Sequence, residues 1–411
     1  MSNPKPSFVS RRKVFYLPGY DPFPPRRYRE LYRREAAHQA AVSGYGISME
    51  GHLERDGFGW HVHAMIDDQP VETEIEILVW SDIVRASRPE TIIATYTDMG
   101  RTAWVYLSTG ALWRMMRLRK GPVIAALYPV VALMMQLLLA LVAGWGVASL
   151  VHALVSNPAP TVAAVAGPAL GLLTVLWAVR WFQRHDGWFF AYYLMHDYAY
   201  SASERGAYPA ALEARLHDFR LKIAAALESD VEEVLVVGHS SGAHLAVSIL
   251  ADLIRAREIK ADGPALSLLT LGHVVPMVSF LPHAERLRGD LHYLSKRSEI
   301  TWVDVTAPGD GCCFALCDPV AVSGQLSDTK QHPLVFSAAF TQSLTPARWR
   351  ALRWRFFRLH FQYLCAFDQP KDYDYFQITA GPQTLRDRYG DRTPSKSRIE
   401  RSVSKYTSVR P

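Results

Sequence analysis

At 411 residues the chain is longer than a usual single domain, so one large α/β domain with an insertion fits it better than one uninterrupted core. A composition that is 49% hydrophobic and 20% charged excludes a disordered or fibrous protein. The net charge of +6 suits either nucleic acid or an anionic membrane surface, and the placement of the apolar residues chooses between them. Cys312, Cys313 and Cys317 crowd one loop and Cys365 stands apart. That is no secreted disulfide framework, and it points to a reducing compartment. Residues 1–12 are polar and basic with no apolar stretch after them, so no cleavable signal peptide is expected.

In chain order, residues 14–17 form a short apolar strand running into Pro18-Gly19-Tyr20-Asp21-Pro22, and residues 23–42 read as a helix with Asp21 as its cap. Residues 60–66 and 74–80 alternate apolar and polar side chains around Asp67-Asp68-Gln69-Pro70, the pattern of two strands joined by a turn. His61 and His63 share one strand face, but without a third ligand nearby no metal is expected there. Residues 89–120 are largely helical and end in Arg114, Arg117, Arg119 and Lys120.

Charge then vanishes. Residues 122–155 and 161–179 contain no Asp, Glu, Lys or Arg, and each run exceeds or approaches the ~20 residues that span a hydrocarbon core. Ser156-Asn-Pro-Ala-Pro160 breaks them into a helical hairpin. Positive residues precede it and follow it at Arg180 and Arg184, while the turn has none, so both flanks are expected on the cytoplasmic side. Trp113, Tyr128, Trp181, Phe182 and Trp188 sit near the span ends, where aromatic rings favour the headgroup layer. The domain reading is residues 1–120 and 184–392 as two parts of one α/β domain, residues 121–183 as an inserted transmembrane hairpin, and residues 393–411 as a disordered basic tail.

Residues 210–227 place Leu212, Leu216, Phe219, Ile223 and Leu227 on one helical face. Residues 234–237 are an unbroken β-branched and leucine run, the signature of a strand covered on both faces, and apolar residues recur from Leu245 at helical spacing. Between them stands Gly238-His239-Ser240-Ser241-Gly242. Further strands at residues 266–271 and 300–305 complete an alternation that predicts a mostly parallel sheet flanked by helices.

A G-x-S-x-G pentapeptide with a strand before it and a helix after it resembles the nucleophile elbow of the α/β-hydrolase superfamily, in particular its lipase and esterase branches. The resemblance implies a serine nucleophile, Ser240, followed in chain order by an acid and a histidine. Asp310, in the turn after residues 301–305, is the expected acid, with Asp304 and Asp318 as alternatives. His360, in His-Phe-Gln-Tyr, is the expected base, with His332 as its rival. His239 and His244 flank the serine too closely, and His273 is expected to line the pocket. The oxyanion hole would use the N–H of Ser241 and one N–H from Gly19 or Tyr20, where the family often has His-Gly. The cysteine loop has too few ligands for zinc. Neither cofactor nor metal is expected.

Basic residues cluster in residues 26–34, in residues 348–358 interleaved with aromatics, and after Arg386. The second cluster suits a lipid surface or stacked bases, and a transmembrane hairpin in the same chain favours the lipid bilayer over nucleic acid. The expectation is a serine esterase or lipase in a membrane of the bacterial inner type, with its catalytic domain cytoplasmic and a lipid-like ester as substrate. Acyl transfer, thioester cleavage and an inactive membrane scaffold are the alternatives. A transporter is disfavoured because the spans carry no charge.

Overall fold

The computed structural model describes residues 8–20, 24–52, 58–87 and 91–409. Contacts divide it into two units, one of residues 1–86, 109–122 and 204–411, the other of residues 87–108 and 123–203.

The first unit is built on eight strands: β1 (Arg11–Leu17), β2 (Gly46–His52), β3 (Phe58–Ile66), β4 (Gln69–Ile77), β5 (Glu233–His239), β6 (Ala265–Leu271), β7 (Ile300–Thr306) and β8 (Leu334–Ser337). They form one mixed sheet in the order β2-β3-β4-β1-β5-β6-β7-β8. The pairs β2–β3 and β3–β4 are antiparallel; β1 pairs in parallel with β4 and with β5, and the run through β8 continues in parallel. Every residue of β5 is buried, as its unbroken apolar run requires. In β3, by contrast, Trp60, Val62, Ala64 and Ile66 are buried in alternation with more exposed neighbours.

Asp67 and Asp68 take φ of 53° and 58°, the two-residue turn whose twist matches a hairpin. Because that turn is so short, β4 starts at Gln69 and ends at Ile77, and Trp80 leaves the sheet to donate Nε1–H to Pro18 O at 3.1 Å. β2 and β8 were not foreseen: β2 is a half-exposed edge containing Gly46 and Gly51, and β8 has four residues. The first helix spans Arg26–Ser43; its expected cap, Asp21, lies outside the described residues.

At the start of the paired central strands β1 and β5, Arg12 and Glu233 form a fully buried ion pair at 2.7 Å. Such a pair is tolerable only when its remaining polar groups are satisfied. Here Arg12 also donates to Gly381 O and Gln383 O, and Glu233 accepts from Ser267 Oγ and Leu385 N.

The tail expected to be disordered is instead tied down. Ser395 N–H donates to Val335 O at 2.9 Å, Ile399 bridges to Cys317, and the buried Arg288 donates Nε–H to Ser408 O at 2.7 Å. Backbone hydrogen bonds and one buried guanidinium fix a segment whose composition alone offers little to bury.

The second unit holds helices of 36 and 25 residues, Lys120–Val155 (from Val123 onward) and Pro160–Arg184, which contain 18-residue stretches of mean hydropathy 2.3 and 2.1. Both are long and apolar enough to cross a membrane. They approach closely through small residues: a Cβ on Gly144 would stand 2.7 Å from Gly171 O, and one on Gly167 would stand 3.1 Å from Ala148 O, the small-residue contact that lets helices pack without a hydrophobic drive. This unit is larger than the hairpin expected at residues 121–183. Helices Ile92–Ser108 and Ala191–Ser203 belong to it, because Tyr96 Oη donates to Leu133 O, Arg101 donates to Ser203 O, and Leu133, Ala191 and Met195 share a core.

Candidate active site

Between β5 and the helix Gly242–Arg255 the chain turns in two residues, and Ser240 is held at φ 57°. For a side chain other than glycine that left-handed conformation costs on the order of 1 kcal/mol and persists only where the surroundings impose it. Two glycines impose it. A Cβ on Gly238 would lie 2.8 Å from Gly242 O and Ala243 Cα, and one on Gly242 would run into Leu17 O and stand 2.6 Å from Pro18 O. The end of β1 therefore presses directly on the elbow. Gly19 follows it and faces the serine: a Cβ there would be 2.9 Å from Ser240 Cβ and 3.4 Å from Ser240 Oγ.

Beside β5, the end of β6 carries two relevant contacts on consecutive residues. Leu271 O accepts the N–H of Ser240 at 2.9 Å. Gly272, at φ 53°, lies under the rings of His360 and Tyr363, since a Cβ there would stand 3.1 Å from His360 Cε1 and 2.7 Å from Tyr363 Cε2. Serine and imidazole are thus both seated on one strand end. Among the described residues no hydrogen bond joins Ser240 Oγ to His360; in ligand-free sites such bonds are often long and tighten only when substrate is bound.

Asp310 comes from the turn after β7, where its N–H donates to Ala307 O at 2.9 Å. Its carboxylate is buried and fully used. Oδ1 accepts from Cys312 N–H at 2.9 Å, and Oδ2 accepts from His360 Nδ1 at 2.7 Å and from Tyr363 Oη at 3.1 Å. Burial by itself raises the pKa of this group, but the facing His360 charge and these donors outweigh it and hold the carboxyl below its ordinary value. An ionised carboxylate can only accept, so Nδ1 of His360 carries the donated hydrogen, and an uncharged ring would then offer its lone pair at Nε2. This arrangement can take a proton from a nearby hydroxyl and stabilise the resulting imidazolium.

His239, expected only to flank the serine, does more. Its Nε2–H donates to the backbone carbonyl of His360 at 3.1 Å and its ring lies 4.8 Å from the His360 ring. Burial first, and the His360 charge second, push its pKa down to about 3; it is neutral, a spacer and donor. Tyr363, His239 and Gly272 were not assigned roles from sequence. Only Tyr363 left a trace there, at the third position after His360.

The alternative residues lie elsewhere. Asp304 accepts from Thr270 Oγ1 at 2.6 Å, and burial raises its pKa well above the ordinary carboxylate value. Asp318 caps the helix Pro319–Val322 and pairs with Lys330. His332 donates its N–H to Ser295 O, and Asp310 is not among its partners. His244 meets Tyr208 Oη at 2.9 Å. His273 is fully buried with Nε2 on Cys317 O at 2.9 Å, so it does not line an open pocket as expected.

Of the expected oxyanion donors, neither Ser241 N–H nor Gly19 N–H donates to a protein acceptor among the described residues. Tyr20 is buried with its ring edge-on to Trp80 at 5.7 Å. Among the described residues one group has metal-ligand spacing, Asp310, Cys312 and His360, with donor atoms within 4.8 Å of one another. Asp310 and His360 are already bonded to each other, and burial drives the Cys312 thiol well above its usual pKa, which disfavours the thiolate a metal requires. His61 and His63 belong to no such group; His63 Nδ1 lies 3.9 Å from Glu72. Set against protein-family models, curated proteins and solved structures, the chain matches none of them.

Proposed function

We propose that this chain is a membrane-anchored serine hydrolase of the α/β-hydrolase type, cleaving carboxylic esters of lipid-like substrates. The observation that carries the reading is the 2.7 Å bond between His360 Nδ1 and Asp310 Oδ2, placed at the end of the strand that also anchors Ser240. In this reading Ser240 Oγ attacks the ester carbonyl while His360 Nε2 takes its proton, and Asp310 holds the ring and balances its charge. The developing oxyanion is held by the N–H of Ser241 and by one N–H from Gly19 or Tyr20. His360 returns the proton to the leaving alcohol, and water then hydrolyses the acyl-enzyme by the same steps.

Pairing of Asp310 with His360 argues against an inactive scaffold, in which the acid and base need not meet. The two membrane-length helices, with arginines on both flanks, support an anchor whose flanks face the cytoplasm. A cysteine placed at Asn157 would then react with a membrane-impermeant maleimide from the far face only; reaction from the cytoplasmic face removes that orientation.

The test of the enzyme reading is labelling of the full chain in membranes by a fluorophosphonate probe, with turnover of p-nitrophenyl esters of graded chain length. Ser240→Ala should abolish both. Labelling or turnover that survives this substitution refutes the proposal.

A further inference from the structure

We infer that residues 353–358 form a docking surface for an anionic lipid bilayer. The segment reads Arg353-Trp354-Arg355-Phe356-Phe357-Arg358 and all six residues are exposed. Trp354 is 71% exposed, Phe356 48% and Phe357 43%. Three large aromatic side chains displayed together are unusual on a surface that meets only water. Interleaved with arginine, they match the composition of chain that rests at the headgroup layer. The charges are available: Arg353 stacks over Trp354 at 5.5 Å, and among the described residues none of Arg353, Arg355 and Arg358 pairs with a carboxylate.

Single-stranded nucleic acid would also find arginines and stacking rings here. Position decides for lipid. Gly121, in the first turn of the helix Lys120–Val155, packs on the acid loop, since a Cβ there would stand 3.1 Å from Gly311 O; Gly311 in turn packs on Phe356, whose Cδ1 would be 3.3 Å from a Cβ on Gly311. All three belong to the same unit. The aromatic surface thus lies two contact layers from the point where the chain loses its last charge and becomes membrane-length apolar helix.

The same segment and the helix just before it adjoin the candidate site. Trp349 covers Gly309, where a Cβ would be 2.6 Å from its ring, and the short helix Phe356–His360 ends on the base itself. Seating residues 353–358 on headgroups would bring lipid esters to Asp310 and His360, a consequence that rests on the hydrolase reading, whereas the lipid contact does not.

The test uses the full chain in nanodiscs of phosphatidylcholine alone or mixed with phosphatidylglycerol, with brominated acyl chains that quench tryptophan. The signal of Trp354 is the difference between wild type and Trp354→Phe. Expected is strong quenching that depends on phosphatidylglycerol and that is lost in Arg353→Gln/Arg355→Gln/Arg358→Gln. At about fivefold in partition per arginine, the triple variant should weaken engagement by about 10²-fold. No quenching, or quenching indifferent to headgroup charge, overturns the proposal. So does a Trp354 signal that responds to single-stranded RNA and not to phosphatidylglycerol. Repeating the measurement in Ser240→Ala separates the two readings: lipid-dependent quenching in a protein whose wild type never labels with phosphonate keeps this surface and removes the enzyme.

Discussion

Gly19 and Ser240 face each other so closely that a methyl group on the first would stand 2.9 Å from Cβ of the second and 3.4 Å from its hydroxyl. β1 and the elbow after β5 are more than two hundred residues apart in sequence, and only a residue without a side chain fits at position 19 against the serine.

Gly19→Ala should therefore damage the site, because its methyl would displace Ser240. A fall in fluorophosphonate labelling of about 10²-fold, the size of a misplaced reacting group, is expected with a smaller loss of Tm than a clash against two backbone carbonyls would give. Gly242→Ala is the contrast, because its methyl meets the backbone carbonyls of Leu17 and Pro18, which cannot rotate away. It should cost on the order of 3 kcal/mol of stability. Equal effects of the two variants on Tm would contradict this division.

Asp310→Asn keeps the shape of the acid and removes the charge that fixes the His360 tautomer. By analogy with the same change in other triads, kcat for an ester substrate should drop by about 10⁴-fold while the protein remains folded. A loss below tenfold would exclude Asp310 as the acid.

His239→Phe preserves a ring against His360 and deletes the donor to the His360 carbonyl. Leaving that buried carbonyl unpaired should cost about 1–3 kcal/mol. If His239 positions the base, kcat should also fall, about tenfold (~1.4 kcal/mol of barrier), with KM unchanged. Destabilisation with unaltered kcat would reduce His239 to a packing residue.

His244 supplies a test in pH. Burial pushes its pKa from 6.5 down to about 3, so between those values the unfolded chain binds a proton that the folded chain does not. Stability from this group is complete above pH 6.5 and declines as pH falls toward 3, by about 1 kcal/mol at pH 5.5. The gap in unfolding free energy between wild type and His244→Gln should accordingly shrink by that amount from pH 7.5 to pH 5.5. A gap that stays constant means His244 is protonated, or solvated, in the fold.

Local physics made part of this legible in advance. The strand–elbow–helix around Ser240 is written in a change from an unbroken apolar run to helical spacing and in glycines that steric contact demands; the helix Ala210–Leu227 and the two charge-free helices follow from spacing and composition. Asp310 and His360 were nominated by the order of acid and base that the hydrolase resemblance implies, not by local pattern. What depends on distant segments was not legible. The pairing of β2 with β3 and of β4 with β1, the Tyr363 hydroxyl on Asp310, the His239 bond to His360 and the binding of residues 395–408 all arise from which strand ends and loops are brought side by side. Propensity and periodicity act over a few residues, whereas a buried hydrogen bond between residues fifty or more positions apart exists only once the sheet has placed its strand ends together.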